Sequence, residues 1–334
     1  MRSVRLALPA VVAVVAAVVV GPGTAVAAAC TWKSAALPLP DGITQGRATA
    51  SDNEGGYAGV AMGMPERVVL WKPGKIVDYG RVPFAPYLVT VADVNRSGTI
   101  VGHAMRDVYS AGAFRSVGTR IEALPVPAAA HASRAVAVND RGDIVGQYVP
   151  KLGELSRAVM WPADRPGQMV ELTGLPASES LVVSGIDEDG TVLVEATGNG
   201  VSTSYRWRDG VAMKLVPPVP AQSVFANGIS AGRVVGTLVP QGQPNELRAV
   251  QWDASGNASL LPEGRAANSV NRDGLVVGDG QSFQIGALVW RGGKVEAKLP
   301  SSPQLFVGSI GDDGGIPAYT RLNSKDTPVV YSCS

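Results

Sequence analysis

The chain has 334 residues, of which 46% are apolar and 17% charged, with 29 basic and 28 acidic side chains. That near-neutrality excludes the strongly basic surface that nucleic acid or an anionic membrane demands. Forty glycines and 24 prolines, spread among short Val, Ile and Leu runs, point to an all-β chain with many turns.

Met1, Arg2 and Arg5, the apolar stretch Leu6 to Val20, and the small residues ending at Ala29 form the charged, apolar and small-residue regions of a secretory signal peptide. Residues 1–29 are therefore set aside, and residues 30–334 are expected to form one exported, extracellular domain with a net charge of about −1. No later stretch reaches the roughly 18 apolar residues that a membrane span requires. Cys30 and Cys333 stand at the two ends of this domain, and an even count in an exported protein reads as one disulfide. A lipid anchor on Cys30 is the lesser alternative, because the preceding Ala-Ala-Ala lacks the large aliphatic residue such a signal carries.

Along the domain one phrase returns seven times. It reads SDNEGGYAG from Ser51, VNRSGTIVG from Val94, VNDRGDIVG from Val138, IDEDGTVLV from Ile186, ISAGRVVG from Ile229, VNRDGLVVG from Val270 and IGDDGGIPA from Ile310. Its glycines, Gly55, Gly98, Gly142, Gly190, Gly232, Gly274 and Gly314, recur every 40 to 48 residues, a period that signals a solenoid or a propeller. Asn, Asp or Ser opens each turn by bonding its own backbone, and Gly takes the positive φ that closes it. Arg141-Gly142-Asp143, an adhesion tripeptide by composition, is thus expected to be a hairpin turn.

A second phrase follows each copy and ends in a large ring at Trp71, Trp161, Trp207, Trp252, Trp290 and Tyr331, with Ser116 in the second copy. A turn and a strand ending in Leu-Pro come next, as at Leu124-Pro125, Leu175-Pro176, Leu261-Pro262 and Leu299-Pro300. Four short β runs in about 44 residues make the blade of a β-propeller. Seven blades are expected, and the segment from Cys30 to Pro40 supplies the strand that the seventh copy lacks. Pairing the first strand with the last closes the ring without a bare edge and brings Cys30 beside Cys333. The rings are expected to fill the space between blades. Arg67, Arg157 and Arg248, four places earlier, share that strand face, where stacking or a carboxylate holds them.

The second phrase resembles the HAF-type extracellular repeat family of bacteria, through Ala113-Phe114, Ala158-Val159-x-Trp161, Ala249-Val250-x-Trp252 and Ala287-Leu288-x-Trp290, with Asn95, Asn139 and Asn271 in the turns. Arg67, Arg157 and Arg248 occupy the family's histidine position. The resemblance implies secretion and a propeller-like repeat, and it carries no activity or catalytic residues.

Motifs with a chemical reading have plainer ones beside them. Gly228-Ile229-Ser230-Ala231-Gly232 matches a nucleophile elbow in letters, but a strand follows where an elbow needs a helix, so no catalytic residue is assigned. Asp187, Asp189, Asp312 and Asp313 are the candidates should a turn bind calcium, although full calcium loops carry more oxygen ligands; no metal and no cofactor is expected. His103, Asp107 and Tyr109 form the one small cluster worth testing as a ligand site. Binding is expected where the copies differ, in the segments joining their second and third runs, from Ala61, Met105, Tyr148, Gly198, Pro240 and Asp279 onward, and these belong on one face of the disc. The expected function is a monomeric binding or interaction module for an extracellular glycan or protein. The alternatives are a secreted carbohydrate-active lyase or hydrolase and a structural wall- or spore-associated protein.

Overall fold

The computed structural model describes residues 31–85, 87–281, 286–300 and 304–333. They fold as seven four-stranded antiparallel sheets, each sheet one blade. Blade 1 takes Gly46–Ser51, Tyr57–Ala61, Arg67–Lys72 and Lys75–Gly80, running outward from its inner strand. The inner strands of blades 2 to 7 are Tyr87–Val94, Ala132–Val138, Ser180–Ile186, Ala221–Ser230, Gly264–Val270 and Gln304–Val307. In blade 7 the outer strand is Trp32–Ala36, paired antiparallel with Lys325–Cys333, so one blade is built from both ends of the domain.

Among the described residues, seven apolar clusters each fill the interface between two consecutive blades. Val101, Ala113 and Leu124 of blade 2 meet Ala135, Ile144 and Trp161 of blade 3, for example, while Ala48, Tyr57 and Trp71 of blade 1 meet Leu37 and Val330 of blade 7. Alternate residues of each strand serve opposite interfaces, which is why the strands read as near-continuous apolar runs.

The ring residue has a second job besides filling. Each indole N–H donates to a carbonyl just past the outer strand of the preceding blade: Trp161 to Pro125 (2.7 Å), Trp207 to Thr173 (2.7 Å), Trp252 to Val216 (2.7 Å) and Trp290 to Pro262 (2.9 Å). Trp71 does the same to Pro38, across the closing interface. The leucine before that carbonyl donates its N–H to the small residue of the third strand, as Leu124 does to Ala113 and Leu261 to Ala249. In blade 3 the residue in this place is Leu172, whose N–H donates to Ala158; Leu175-Pro176, assigned to the slot from sequence, lies past a two-residue outer strand, Val170–Glu171.

Inner strands share a further device. In blades 1 to 6 the pairing slips by one residue at the same place, at Thr49, Ala92, Val136, Ser184, Asn227 and Asn268. A bulge there bends the strand and strengthens its twist, and its repetition gives those six inner strands the same curvature.

Trp252→Phe keeps most of the packing but strips the Val216 carbonyl of its indole donor. The expected cost is about 1–2 kcal/mol, read as a lower urea midpoint with an unchanged slope.

Candidate functional site

The hairpin turns between inner and second strands gather on one end of the disc, called here the turn face. Their opening side chains are buried: Asp52, Asn95, Asn139, Asp187 and Asn271. Asn139 Oδ1 accepts the Asp143 N–H (2.9 Å), and Asn271 Oδ1 accepts those of Asp273 (3.1 Å) and Leu275 (2.9 Å). An asparagine also has an amide to spend: Asn95 Nδ2 donates to the Asn139 carbonyl (2.9 Å) and Asn271 Nδ2 to the Gly311 carbonyl (3.0 Å), each on the next blade, while Asn139 Nδ2 stays in its own turn on Asp143 (3.2 Å). The turns are therefore stitched to each other as well as to themselves.

Arg141-Gly142-Asp143 belongs to this stitching. Gly142 has φ +88°. Arg141 Nη2 donates to its own Asp143 (2.9 Å) and Nη1 to the Glu188 carbonyl (2.9 Å), while Asp143 also accepts the Ala163 N–H (3.0 Å). Both ends of the tripeptide are engaged within the protein.

The calcium candidates are engaged as well. Asp187 accepts the N–H groups of Ala231 (3.1 Å) and Gly232 (2.7 Å) in blade 5, Asp189 holds Arg208 and the Thr191 N–H, Asp312 holds Arg96 (2.8 Å) and Arg272 (3.4 Å), and Asp313 accepts the Tyr57 hydroxyl (3.2 Å). No three His, Cys, Asp or Glu residues converge in a metal-binding geometry among the described residues.

The channel opens on this face into a cavity of about 380 Å³ lined by Asp93, Asp140, Asp187, Glu188, Arg272 and Asp312. Arg96 bridges Asp140 of blade 3 (3.4 Å) and Asp312 of blade 7 (2.8 Å) at its rim. Asp93 lies below them and accepts the N–H groups of Val94 (2.8 Å) and Val138 (2.9 Å). Burial, with Glu188 and Asp140 nearby, pushes its carboxyl up to about 7 despite those donors.

The opposite end, the loop face, carries the joins between second and third strands and is chemically different. Met64, Val108, Tyr109, Leu152, Leu155 and Leu322 are exposed on those joins. Tyr87 and Leu88 add to them where the blade 2 inner strand begins, and Leu88 sits at φ +33° in a bulge that leaves it 70% exposed. A groove of about 660 Å³ runs along the rim at blade 3, lined by Leu155, Arg157, Glu171, Leu175 and Glu179 among others.

One layer of inner-strand residues lies near this end. Arg47, Thr90, Arg134, Val182, Phe225, Ala266 and Phe306 occupy the same register, each opposite the second-strand residue that follows the repeat's Gly-equivalent position. Thr90, Arg134 and Val182 are exposed although their strands are innermost; with blades on either side, the channel is where that exposure is found. Phe306 stacks on Tyr319 at 4.7 Å, and Arg47 lies 5.2 Å over the Tyr319 ring. Arg47 and Arg321 both pair with the buried Asp326 at 2.6 Å.

The sequence-predicted cluster does not assemble. His103 is in the second strand of blade 2, opposite Thr90 and Ala113, rather than in the irregular segment that follows. Its Nδ1 is buried with no hydrogen-bond partner, and desolvation together with Arg134 pushes its pKa down to about 4. Asp107 instead organises the loop, accepting the N–H groups of Tyr109 (2.8 Å) and Ser110 (2.9 Å), with the Ser110 hydroxyl first among the causes that hold its carboxyl low. The histidine that reaches that loop is His131, whose Nε2 meets the Tyr109 carbonyl at 2.9 Å. Arg67, Arg157 and Arg248 take carboxylate partners, Asp78, Glu171 and Glu246. Ser230 pairs with Arg233 within a strand hairpin, without the helix of a nucleophile elbow. Cys333 stands opposite Trp32, and Cys30 lies outside the described residues. Arg134, Arg96 and Asp93 were not singled out from sequence; a charged residue inside an otherwise apolar inner-strand run, as in Ala132–Val138, was the available signal.

No protein-family model and no curated protein matches the chain. Among solved structures it is similar to a streptogramin B lyase, with 14% identity, a TM-score of 0.57 and coverage of 91% of this chain and 98% of that one. It is also similar to a catalytically inactive virginiamycin B lyase from Staphylococcus aureus with quinupristin (17% identity, TM-score 0.56, 90% and 99% covered) and to the WD40 propeller domain of Doa1 (10%, 0.55, 90% and 96%). At these identities the likeness shows the fold, a β-propeller.

Asp93 gives the site a pH signature. Its folded pKa of about 7 exceeds the unfolded value of 3.8, so its contribution to stability is complete below pH 3.8 and is lost as pH rises to about 7. His103, lowered from 6.5 to about 4, has the opposite slope, so the wild-type profile alone blurs the effect. The stability difference between wild type and Asp93→Asn should fall by up to about 1.4 kcal/mol per pH unit from pH 4.5 to 6.5, measured by denaturant unfolding across that range.

Proposed function

We propose that the protein is an exported, monomeric binding module that holds an extracellular glycan or protein through its loop face. The observation that carries the reading is the contrast between the two ends of the disc. On the turn face the carboxylates, arginines and turn amides are engaged with each other, as at Arg96, Asp140, Asp187 and Asp312. The loop face presents Tyr87, Leu88, Val108, Tyr109, Leu152 and Leu155 to solvent on two neighbouring blades, 2 and 3, beside the groove at blade 3. Apolar side chains exposed as a group, on loops held by a rigid scaffold, mark recognition surfaces.

Export rests on the charged, apolar and small-residue order of residues 1–29 and on the resemblance to extracellular HAF-type repeats. A Cys30–Cys333 disulfide belongs to the same reading. Strand register sets Cys333 across from Trp32, two residues after Cys30, and a bond there would tie a loop of about 300 residues, stabilising the fold by roughly 5 kcal/mol on chain-entropy grounds.

Thermal melting against wall polysaccharides, plant polysaccharides and small sugars tests the reading, since a ligand that binds the folded state raises the midpoint. At least one saccharide class is expected to raise it. Replacing Tyr109 and Leu155 by serine should abolish that rise, and Asp273→Asn on the turn face should leave it intact. The reverse pattern contradicts the loop-face assignment.

A further inference from the structure

We propose that the loop-face mouth of the channel binds an organic oxyanion, with its charged group against Arg134 and His103 on blades 3 and 2 and its apolar body on Val182 and Phe225 of blades 4 and 5. This deepens the reading above by naming the ligand chemistry, and it rests on the loop face being the binding end.

Three observations on neighbouring strands meet here. Arg134 is exposed on an inner strand, and among the described residues its guanidinium makes no hydrogen bond or ion pair. The other arginines of the inner strands are engaged: Arg47 with Asp326, and Arg265 with a partner of its own. A guanidinium presents a planar fork of donors that matches a carboxylate, sulfate or phosphate. Near it, the half-buried His103 has a buried Nδ1 without a partner among the described residues; that atom is closed to solvent, so a ligand oxygen would meet the ring through Nε2. Thr90, opposite His103 in the register and exposed, adds a hydroxyl at the same level.

The wall then changes character. Val182 and Phe225 hold the same register on the next two blades, Val182 being 39% exposed. One arc of the mouth is cationic and polar, and the adjoining arc is apolar. Such a wall suits a molecule with an anionic group on an apolar body, such as a uronic acid or a sulfated or phosphorylated sugar ring. A neutral sugar would leave Arg134 unanswered. The depressed pKa of His103, set by desolvation and then Arg134, keeps the imidazole neutral at pH 7, so that an incoming anion meets one ring nitrogen as a donor.

Isothermal titration of the full exported domain tests this with glucuronate, glucose 6-sulfate and glucose 6-phosphate as probes, and glucose and inorganic sulfate as controls for body and head alone. At least one of the three anionic sugars is expected to bind more tightly than glucose and than sulfate, and the preferred arm identifies the head group. Arg134→Gln should weaken that probe about tenfold or more with an unchanged melting temperature, His103→Gln should weaken it several-fold, and Arg120→Gln on the outer strand of blade 2 should have no effect. The proposal is overturned if none of the three anionic sugars binds at millimolar concentration, or if Arg134→Gln binds as wild type does. A neutral polysaccharide whose melting shift still depends on Tyr109 and Leu155 would, in that event, leave the loop-face reading standing. Anion binding that survives Arg134→Gln and is lost on altering Arg272 on the turn face would overturn both.

Discussion

The fold depends on a five-residue strand. Trp32–Ala36 lies along Lys325–Cys333 in blade 7, and without it the third strand of that blade would present a bare edge, while blade 1 would lose Leu37, Leu39 and the Pro38 carbonyl that meets Trp71. Polar chemistry reinforces the seam. The buried Asp326 of blade 7 accepts from Arg47 of blade 1 and Arg321 of its own blade, and Gln45 accepts the Asp326 N–H. Arg321 reaches both Asp326 oxygens and Arg47 one of them, so a buried carboxylate is shared across the seam, and parting the two blades would strip it of one of its two cations. Closure between the ends of the domain is thus a property of side chains as well as of strand pairing.

From closure follow the two unlike ends. A blade that runs outward from the channel places its first and third turns on one face and its second on the other, and seven equivalent blades sort all their turns in the same way. Turns that must meet around the axis are short, repeat the same residues and spend their polar groups on one another, as Asn95 does on Asn139 and Asp187 on Gly232. The joins at the other face vary in length and composition, and some of the apolar residues left in solvent lie on them, Met64, Val108, Tyr109, Leu152, Leu155 and Leu322. The same logic divides the channel wall, where a register position fixed by the repeat holds Arg134 in one blade and Phe225 in another. The repeat dictates where the side chain points and leaves its chemistry open.

That division marks how much was legible beforehand. Seven blades, the strand from the front of the domain in the last blade, the glycine turns and the ring slot were all readable, because each repeats and each has a local physical cause. The indole donor to the preceding blade was not, since it joins positions in different repeats, though the Leu-Pro run pointed at the acceptor. Blade 3 misled because its outer strand has two residues, so the leucine that matters, Leu172, comes before the Leu175-Pro176 that catches the eye. His103 was grouped with Asp107 and Tyr109 by closeness in sequence, whereas strand pairing turns it towards Arg134 of the next blade. Asp187 and Asp312 looked like ligands because a carboxylate in a turn reads the same whether it meets an ion or a neighbouring backbone amide.

Hydrogen exchange of the unliganded protein, resolved to individual strands, tests the closed ring most directly. The amides of Trp32–Ala36 and Lys325–Cys333 that face each other should exchange as slowly as those of the central strands of blade 7 and open with them as one unit. Fast exchange of Trp32–Ala36, at the rate of the exposed turns and with Ile316–Leu322 still protected, would contradict a ring held shut by its two ends.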